Sequence, residues 1–276
     1  DVHANEFAHA PRGSRPGVGR SLHRAHVAPD DGGDEAGVHF LPADQLDVRR
    51  LQHGVRRLDH SHEAAGFNHA QGVADHAAET GSPLPKEPII FNKAPNSISG
   101  PNDDIVIPKG STKTDWEIEL AAVIGKTARN VSLQDALSHV AAYTVAIDFS
   151  ARDHNRAPET FYKLDWVAGK ANDTCCPIGP RVVAASALAD PQSVGLRLWV
   201  NGELKQNGNS RDMIFSVAEQ ISTASKIMTL DPGDLLLTGT PGGVGAPKQT
   251  FLSVGDRVEV EIDGIGRFAV VIQPSR

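Results

Sequence analysis

Only two cysteines occur in the 276 residues, Cys175 and Cys176, and they are neighbours. Adjacent cysteines make a poor structural disulfide and offer no basis for a thiolate zinc site, so they are expected to stay reduced in the core or near a site. Long hydrophobic runs are missing too: no stretch approaches the roughly twenty apolar residues that a membrane-spanning helix needs. The first residues lack the basic-then-apolar order of a signal peptide, and the expected location is cytoplasmic. Positive charge is in deficit, with 27 Lys and Arg against 34 Asp and Glu. That balance supplies neither a basic stripe for nucleic acid nor a polybasic anchor for a membrane. An anionic small molecule would need local lysines, arginines or a metal ion. The glycine-rich run Thr238-Gly239-Thr240-Pro241-Gly242-Gly243-Val244-Gly245 lacks the Walker lysine and the dinucleotide spacing. It is therefore not a nucleotide motif.

What the chain does have is enough apolar residue, 39%, to bury a full-sized core. Its composition shifts along its length. Ten of the twelve histidines precede residue 77, and no lysine precedes Lys86. This marks residues 1–73 as an N-terminal segment or small domain of doubtful order, and 74–276 as the main domain. The early histidines show no repeated ligand spacing, which argues against a metal tract. Val48, Leu51, Val55 and Leu58 recur at helical spacing and predict one amphipathic helix there.

The densest chemistry lies in Asp115-Trp116-Glu117-Ile118-Glu119-Leu120. In an extended strand, side chains alternate between faces, so Glu117 and Glu119 project together and Trp116, Ile118 and Leu120 project oppositely. A second predicted strand, 142–150, places Asp148 at its end. Three carboxylates gathered on one sheet surface repel one another and raise their own pKa values unless a cation neutralises them. An all-oxygen set selects a hard ion such as Mg²⁺, Mn²⁺ or Ca²⁺. The competing reading is a solvated face on an edge strand, which alternating acidic and apolar residues also produce.

Elsewhere the pattern is mostly short strands. Glu87 to Lys93 and Ile105 to Pro108 read as strands, and Ser132 with Asp135 reads as the start of a helix running to about Ala142. The 153–168 stretch lacks periodicity and reads as a mobile loop. Leu196–Val200, the Asn201-Gly202 turn and the return strand predict a hairpin. Ile214 to Met228 reads as a helix, Leu235–Leu237 as a buried strand, and the C-terminus as a second hairpin. His76 and Glu79 stand at i, i+3 on a short helix, close enough for the carboxylate to orient the imidazole, although two such residues are also ordinary helix surface. Lys170, alone between Gly169 and a turn, reads on its own as solvated surface.

Taken in order, these motifs resemble the fumarylacetoacetate hydrolase family, in particular its acylpyruvate hydrolase and oxaloacetate decarboxylase branch. The resemblance runs from about Asp75 to about Val271. It implies a mainly β, α+β fold in which mixed sheets form a roll or barrel with flanking helices, and a homodimer. It implies metal ligation by Glu117, Glu119 and Asp148, with Mg²⁺ or Mn²⁺ as the ion and Ca²⁺ a substitute in crystals. His76, Glu79 and Lys170 take catalytic roles, and Arg152, Gly239 and Thr240 bind substrate. The implied reaction is hydrolysis of a carbon-carbon bond in a 2,4-dioxo acid of acylpyruvate or fumarylacetoacetate type. Its products are pyruvate or a related keto acid and a carboxylic acid, formed through a metal-stabilised enolate. Decarboxylation of oxaloacetate, or isomerisation or hydration of dioxo acids, would use the same site. A non-catalytic binding protein of the same fold is the alternative of another class.

Overall fold

A computed structural model describes residues 86–275. Residues 1–85, which hold the expected helix near 46–58 and the His76/Glu79 pair, lie outside the described residues. Ten strands build two five-stranded sheets. In chain order they are β1 (Ile98–Ser99), β2 (Ile105–Val106), β3 (Ile118–Ile124), β4 (Val140–Ile147) and β5 (Cys176–Ala184). The remainder are β6 (Gly195–Val200), β7 (Glu203–Asn209), β8 (Leu235–Leu237), β9 (Arg257–Ile262) and β10 (Gly266–Gln273). The first sheet runs β1-β5-β4-β3-β8 and the second β7-β6-β9-β10-β2. Among the described residues the α-helices are α1 (Trp166–Lys170) and α2 (Val217–Ile227). The fold is mostly β, with a curled half-barrel sheet, as expected from the sequence.

The faces of β3 explain its composition. Ile118, Leu120, Ala122 and Ile124 enter one apolar cluster with Tyr143, Val145 and Ile147 of β4 and with Leu196, Leu198, Val258 and Val260 of the second sheet. Ala121 and Val123 enter another, with Ala146, Ile178, Leu235 and Leu237. Because β3 lies between β4 and β8 and every residue in it is buried, the solvated edge-strand reading does not hold. Complete burial of each Leu or Ile contributes roughly 1.5–3 kcal/mol, which fixes the strand's position and register.

Four expectations need correction. The helix expected from Ser132 to about Ala142 is only a 3₁₀ turn, Ala136–His139. The start signal is real: Ser132 Oγ donates to Asp135 Oδ2 at 2.7 Å and accepts from Asp135 N at 3.2 Å. From Val140 onward, however, the chain pairs with β3, and the buried ladder outweighs local helix propensity. The strand expected over 87–93 does not form. That segment contains Pro88 and runs up to Pro95, and Phe91 and Lys93 hold it through Trp166 and Asp148 instead. The expected strand from Ile105 to Pro108 is confined to the two residues of β2. In place of a patternless 153–168 loop the chain forms a two-strand hairpin, Arg156–Ala157 with Lys163–Leu164, and then α1, capped by Asp165 Oδ1 accepting from Ala168 N at 2.9 Å.

Other readings match closely. At the β6–β7 turn Asn201 and Gly202 adopt φ of 51° and 83°, as a two-residue hairpin requires. The helix expected from Ile214 begins at Val217, where Ser216 and Glu219 form a complete capping box. No helix among the described residues is long and apolar enough to cross a membrane.

Candidate metal and active site

The register of β3 against β4 assembles the acidic centre. Ile118 pairs with Ile147 and Glu119 with Ala146, so Glu117 and Asp148 are the next opposed pair. The ladder continues to them through Asp148 N donating to Glu117 O at 2.8 Å. Opposed side chains in an antiparallel pair share a face, and Glu119, two residues from Glu117, shares it as well. Glu117, Glu119 and Asp148 each offer an oxygen within 4.8 Å of the others'. Their exposures are 3%, 0% and 1%.

Three cations are packed into the same centre. Lys170, at the end of α1, donates from Nζ to Glu117 Oε2 and to Asp148 Oδ2, both at 2.8 Å. It is fully buried, so the solvated reading fails. Its neighbour must be glycine on steric grounds: a Cβ at Gly169 would lie 2.5 Å from Asn155 Cβ. Lys93 Nζ donates to Asp148 Oδ1 at 2.8 Å and also to the Lys170 carbonyl oxygen. Each oxygen of Asp148 is therefore held by an ammonium group. Phe91 stacks on Trp166 with ring centroids 4.7 Å apart, and Asn96 Nδ2 donates to Ala171 O at 3.0 Å. The 91–96 segment thus straps down the helix that carries Lys170. Arg152 donates from Nε to Asp115 Oδ2 at 2.9 Å and from Nη2 to Glu117 Oε1 at 2.5 Å.

The titration behaviour follows from these contacts. Burial works against ionisation of Asp148, but Lys170 and Lys93 outweigh it and hold the carboxyl below its ordinary value. Burial likewise opposes the charges of Lys93 and Arg152. Asp148 in the first case, and Glu117 and Asp115 in the second, more than compensate and raise both pKa values. Among the described residues no cation bonds the Glu119 oxygens, and Lys170 offsets the neighbouring carboxylates only in part. Burial first, and then the charges of Asp148 and Glu117, push Glu119 well above its ordinary value. The Cys175 and Cys176 thiols are free and buried, and burial pushes each up to about 12.

The donor set fits a hard divalent cation. Glu119 Oε2 accepts from Gly239 N at 2.7 Å, while Glu119 Oε1 is buried and makes no hydrogen bond. A buried acceptor left unsatisfied costs roughly 1–3 kcal/mol, and ligation by a cation would remove that cost. Among the described residues, counting Asp115 with the three carboxylates and setting Lys93, Lys170 and Arg152 against them leaves one formal negative charge in excess, which a divalent cation would offset.

The glycine-rich loop after β8 does present amides to anions, but the anions are the protein's own. Gly239 N serves Glu119, while Gly245 N and Ala246 N donate to Asp115 at 2.7 and 3.0 Å. Thr240 Oγ1 donates to Ile118 O and accepts from Gln206 Nε2, each at 2.8 Å. Gln206 also accepts from Ile118 N at 3.0 Å, fastening the loop to the start of β3. Of the residues expected at the site, Glu117, Glu119, Asp148, Lys170, Arg152, Gly239 and Thr240 come together. His76 and Glu79 lie outside the described residues. Sequence reasoning assigned no role to Lys93, Asp115 or Gln206. A lysine closing the apolar run Ile89-Ile90-Phe91, and an acid directly ahead of the Glu-x-Glu pair, were the available signals.

A largely β fold with a buried carboxylate and lysine cluster at the end of paired strands presents an all-oxygen donor set that a divalent cation would fit. The family profile described as fumarylacetoacetate (FAA) hydrolase C-terminal matches residues 65–273, and the chain belongs to this family. A mitochondrial oxaloacetate tautomerase from Xenopus laevis is 49% identical over 194 residues, covering 70% of this chain and 60% of the relative. A 2,4-didehydro-3-deoxy-L-rhamnonate hydrolase from a Sphingomonas strain is 46% identical over 206 residues, covering 74% and 70%. Fumarylpyruvate hydrolase from Pseudomonas aeruginosa, solved with Mn²⁺ and pyruvate, superposes with a TM-score of 0.68 at 29% identity, covering 79% of this chain and 99% of that one.

Proposed function

We propose that the protein is a divalent-metal-dependent hydrolase of 2,4-dioxo acids, cleaving an acylpyruvate-type substrate to pyruvate or a related keto acid and a carboxylic acid. The observation that carries this reading is the buried triad Glu117, Glu119 and Asp148, with an unbonded oxygen on Glu119 and the Lys170 ammonium between the other two. Those three carboxylates would hold Mg²⁺ or Mn²⁺. When bound, such an ion supplies Lewis acidity to a 2-oxo acid. Lys170 uses two N–H bonds on Glu117 and Asp148, leaving a third for the 2-oxo oxygen as negative charge grows there. Among the described residues Arg152 Nη1 has no partner, and it takes the substrate carboxylate or distal tail. His76, its tautomer set by Glu79, takes a proton from the water that attacks the distal carbonyl; this role rests on the His-x-x-Glu spacing. The carbon-carbon bond then breaks, its electron pair passes into the pyruvate half, and protonation completes release.

A second reading is favoured by the 49% identical tautomerase. Keto–enol exchange of oxaloacetate would use the same polarisation of the 2-oxo group, but only a proton transfer and no attacking water. One assay separates the two. The purified protein with Mn²⁺ or Mg²⁺ is given a panel of acylpyruvates and oxaloacetate, with pyruvate release and enol absorbance followed together. Metal-dependent pyruvate release from acylpyruvates is expected. Enol loss without pyruvate would favour the tautomerase, and turnover that persists after chelation overturns both readings.

A further inference from the structure

Asp115 has no place in the chemistry above, yet it is fully buried and accepts four hydrogen bonds. Oδ1 accepts from Trp116 N at 2.8 Å and from Gly245 N at 2.7 Å; Oδ2 accepts from Ala246 N at 3.0 Å and from Arg152 Nε at 2.9 Å. Three of these donors are backbone and could be served by any short acceptor. The fourth is the guanidinium nitrogen nearest the Arg152 stem, and it determines how the planar head is turned. With Nε on Asp115 and Nη2 on Glu117, the guanidinium is pinned along one edge. Nη1 carries no bond to the described residues, and the side chain is 21% exposed in a centre whose carboxylates are nearly inaccessible. A planar fork held on one edge presents the other in a fixed direction.

We infer that Asp115 is a positioning residue that acts through Arg152, aiming Nη1 at the carboxylate of a bound 2-oxo acid and tying that aim to the loop at Gly245 and Ala246. The inference rests on the substrate role given to Arg152 above. The four donors on the Asp115 carboxylate are all protein groups. The carboxylate sets the orientation of the one that reaches the substrate, and its amide bonds make that orientation depend on the loop after β8.

The test is a double-mutant cycle read by binding, with pyruvate as the probe titrated calorimetrically at saturating Mn²⁺ against wild type, Asp115→Asn, Arg152→Met and the double variant. Asp115→Asn turns an amide donor towards Arg152 Nε–H, and pyruvate affinity should fall about tenfold, the size of one lost charge-assisted hydrogen bond. In the Arg152→Met background the same change should shift affinity by less than about twofold. Equal losses in both backgrounds, or an Arg152→Met variant that binds as well as wild type, would overturn the inference. If Asp115→Asn does not fold, Arg152→Lys keeps the charge but has no Nε–H for Asp115. Affinity should then fall as far as in Arg152→Met, and retention of wild-type affinity overturns the inference. Wild type failing to bind pyruvate with Mn²⁺ would instead sink the proposed function itself, which keeps the two failures distinct.

Discussion

Replacing Glu119 by Gln tests the centre most directly, because it changes the one carboxylate among the described residues whose oxygen is buried and unbonded. Glutamine preserves the acceptor for Gly239 N and nearly the same volume, so the core clusters on both faces of β3 should be undisturbed. With metal chelated, the variant should unfold within about 1 kcal/mol of wild type, since one uncharged buried group replaces a carboxyl that burial already drives towards its protonated form. With Mn²⁺ the two should part. A ligand at a hundred times its Kd stabilises the folded state by about 2.7 kcal/mol, which for a domain of this size is about 5–10 °C in Tm. Wild type should show that gain and Glu119→Gln should lose most of it. Paired thermal melts with and without Mn²⁺ read the difference. Equal stabilisation of both proteins would mean that the ion does not use Glu119, and the reasoning from the unbonded oxygen would fail.

Three further predictions concern the scaffold. Lys93→Met strips the ammonium from Asp148 Oδ1; breaking one partner out of a buried pair should cost about 3–5 kcal/mol in urea unfolding, and a cost below about 1 kcal/mol would deny Lys93 its bracing role. Gly169→Ala pushes a methyl into Asn155. Stability should drop by about 1–3 kcal/mol, and because the strain falls on α1, turnover should fall further than stability predicts. Asp153 is held below its ordinary value: burial raises it, but the Thr112 amide and the Ser111 and Thr112 hydroxyls outweigh burial. A depressed carboxylate contributes stability above its unfolded pKa, near 3.8, and loses it as pH falls through the folded value. The stability gap between wild type and Asp153→Asn should therefore be open at neutral pH and close in acid, as followed by urea midpoints across a pH series.

The acidic centre was legible because its signal is local. Two glutamates two residues apart share a face in any extended strand, and Asp148 closes a segment of plainly alternating apolar residues. Hairpins with Asn-Gly or Asp-Gly turns were legible for the same reason, their geometry being written in two residues. What escaped was set at long range. Lys93 meets Asp148 across 55 positions and Asp115 meets Gly245 across 130, and no periodicity announces such pairs. The false helix at Ser132 carried a true capping signal, but the sheet took Val140 before a second turn could form. Lys170 looked like a surface lysine because its two carboxylate partners, Glu117 and Asp148, lie 53 and 22 positions away, and only the fold brings them together.

The burial of Lys93 and Lys170, at 1% and 0% exposure, has a consequence for chemical labelling. An amine-reactive acylating reagent meets the surface lysines at once, but these two are withheld while α1 and the 91–96 segment stay seated on Glu117 and Asp148. Their modification rate, followed peptide by peptide, would thus serve as a clock for lifting of α1 and its strap, running in the folded protein without denaturant or any knowledge of the substrate.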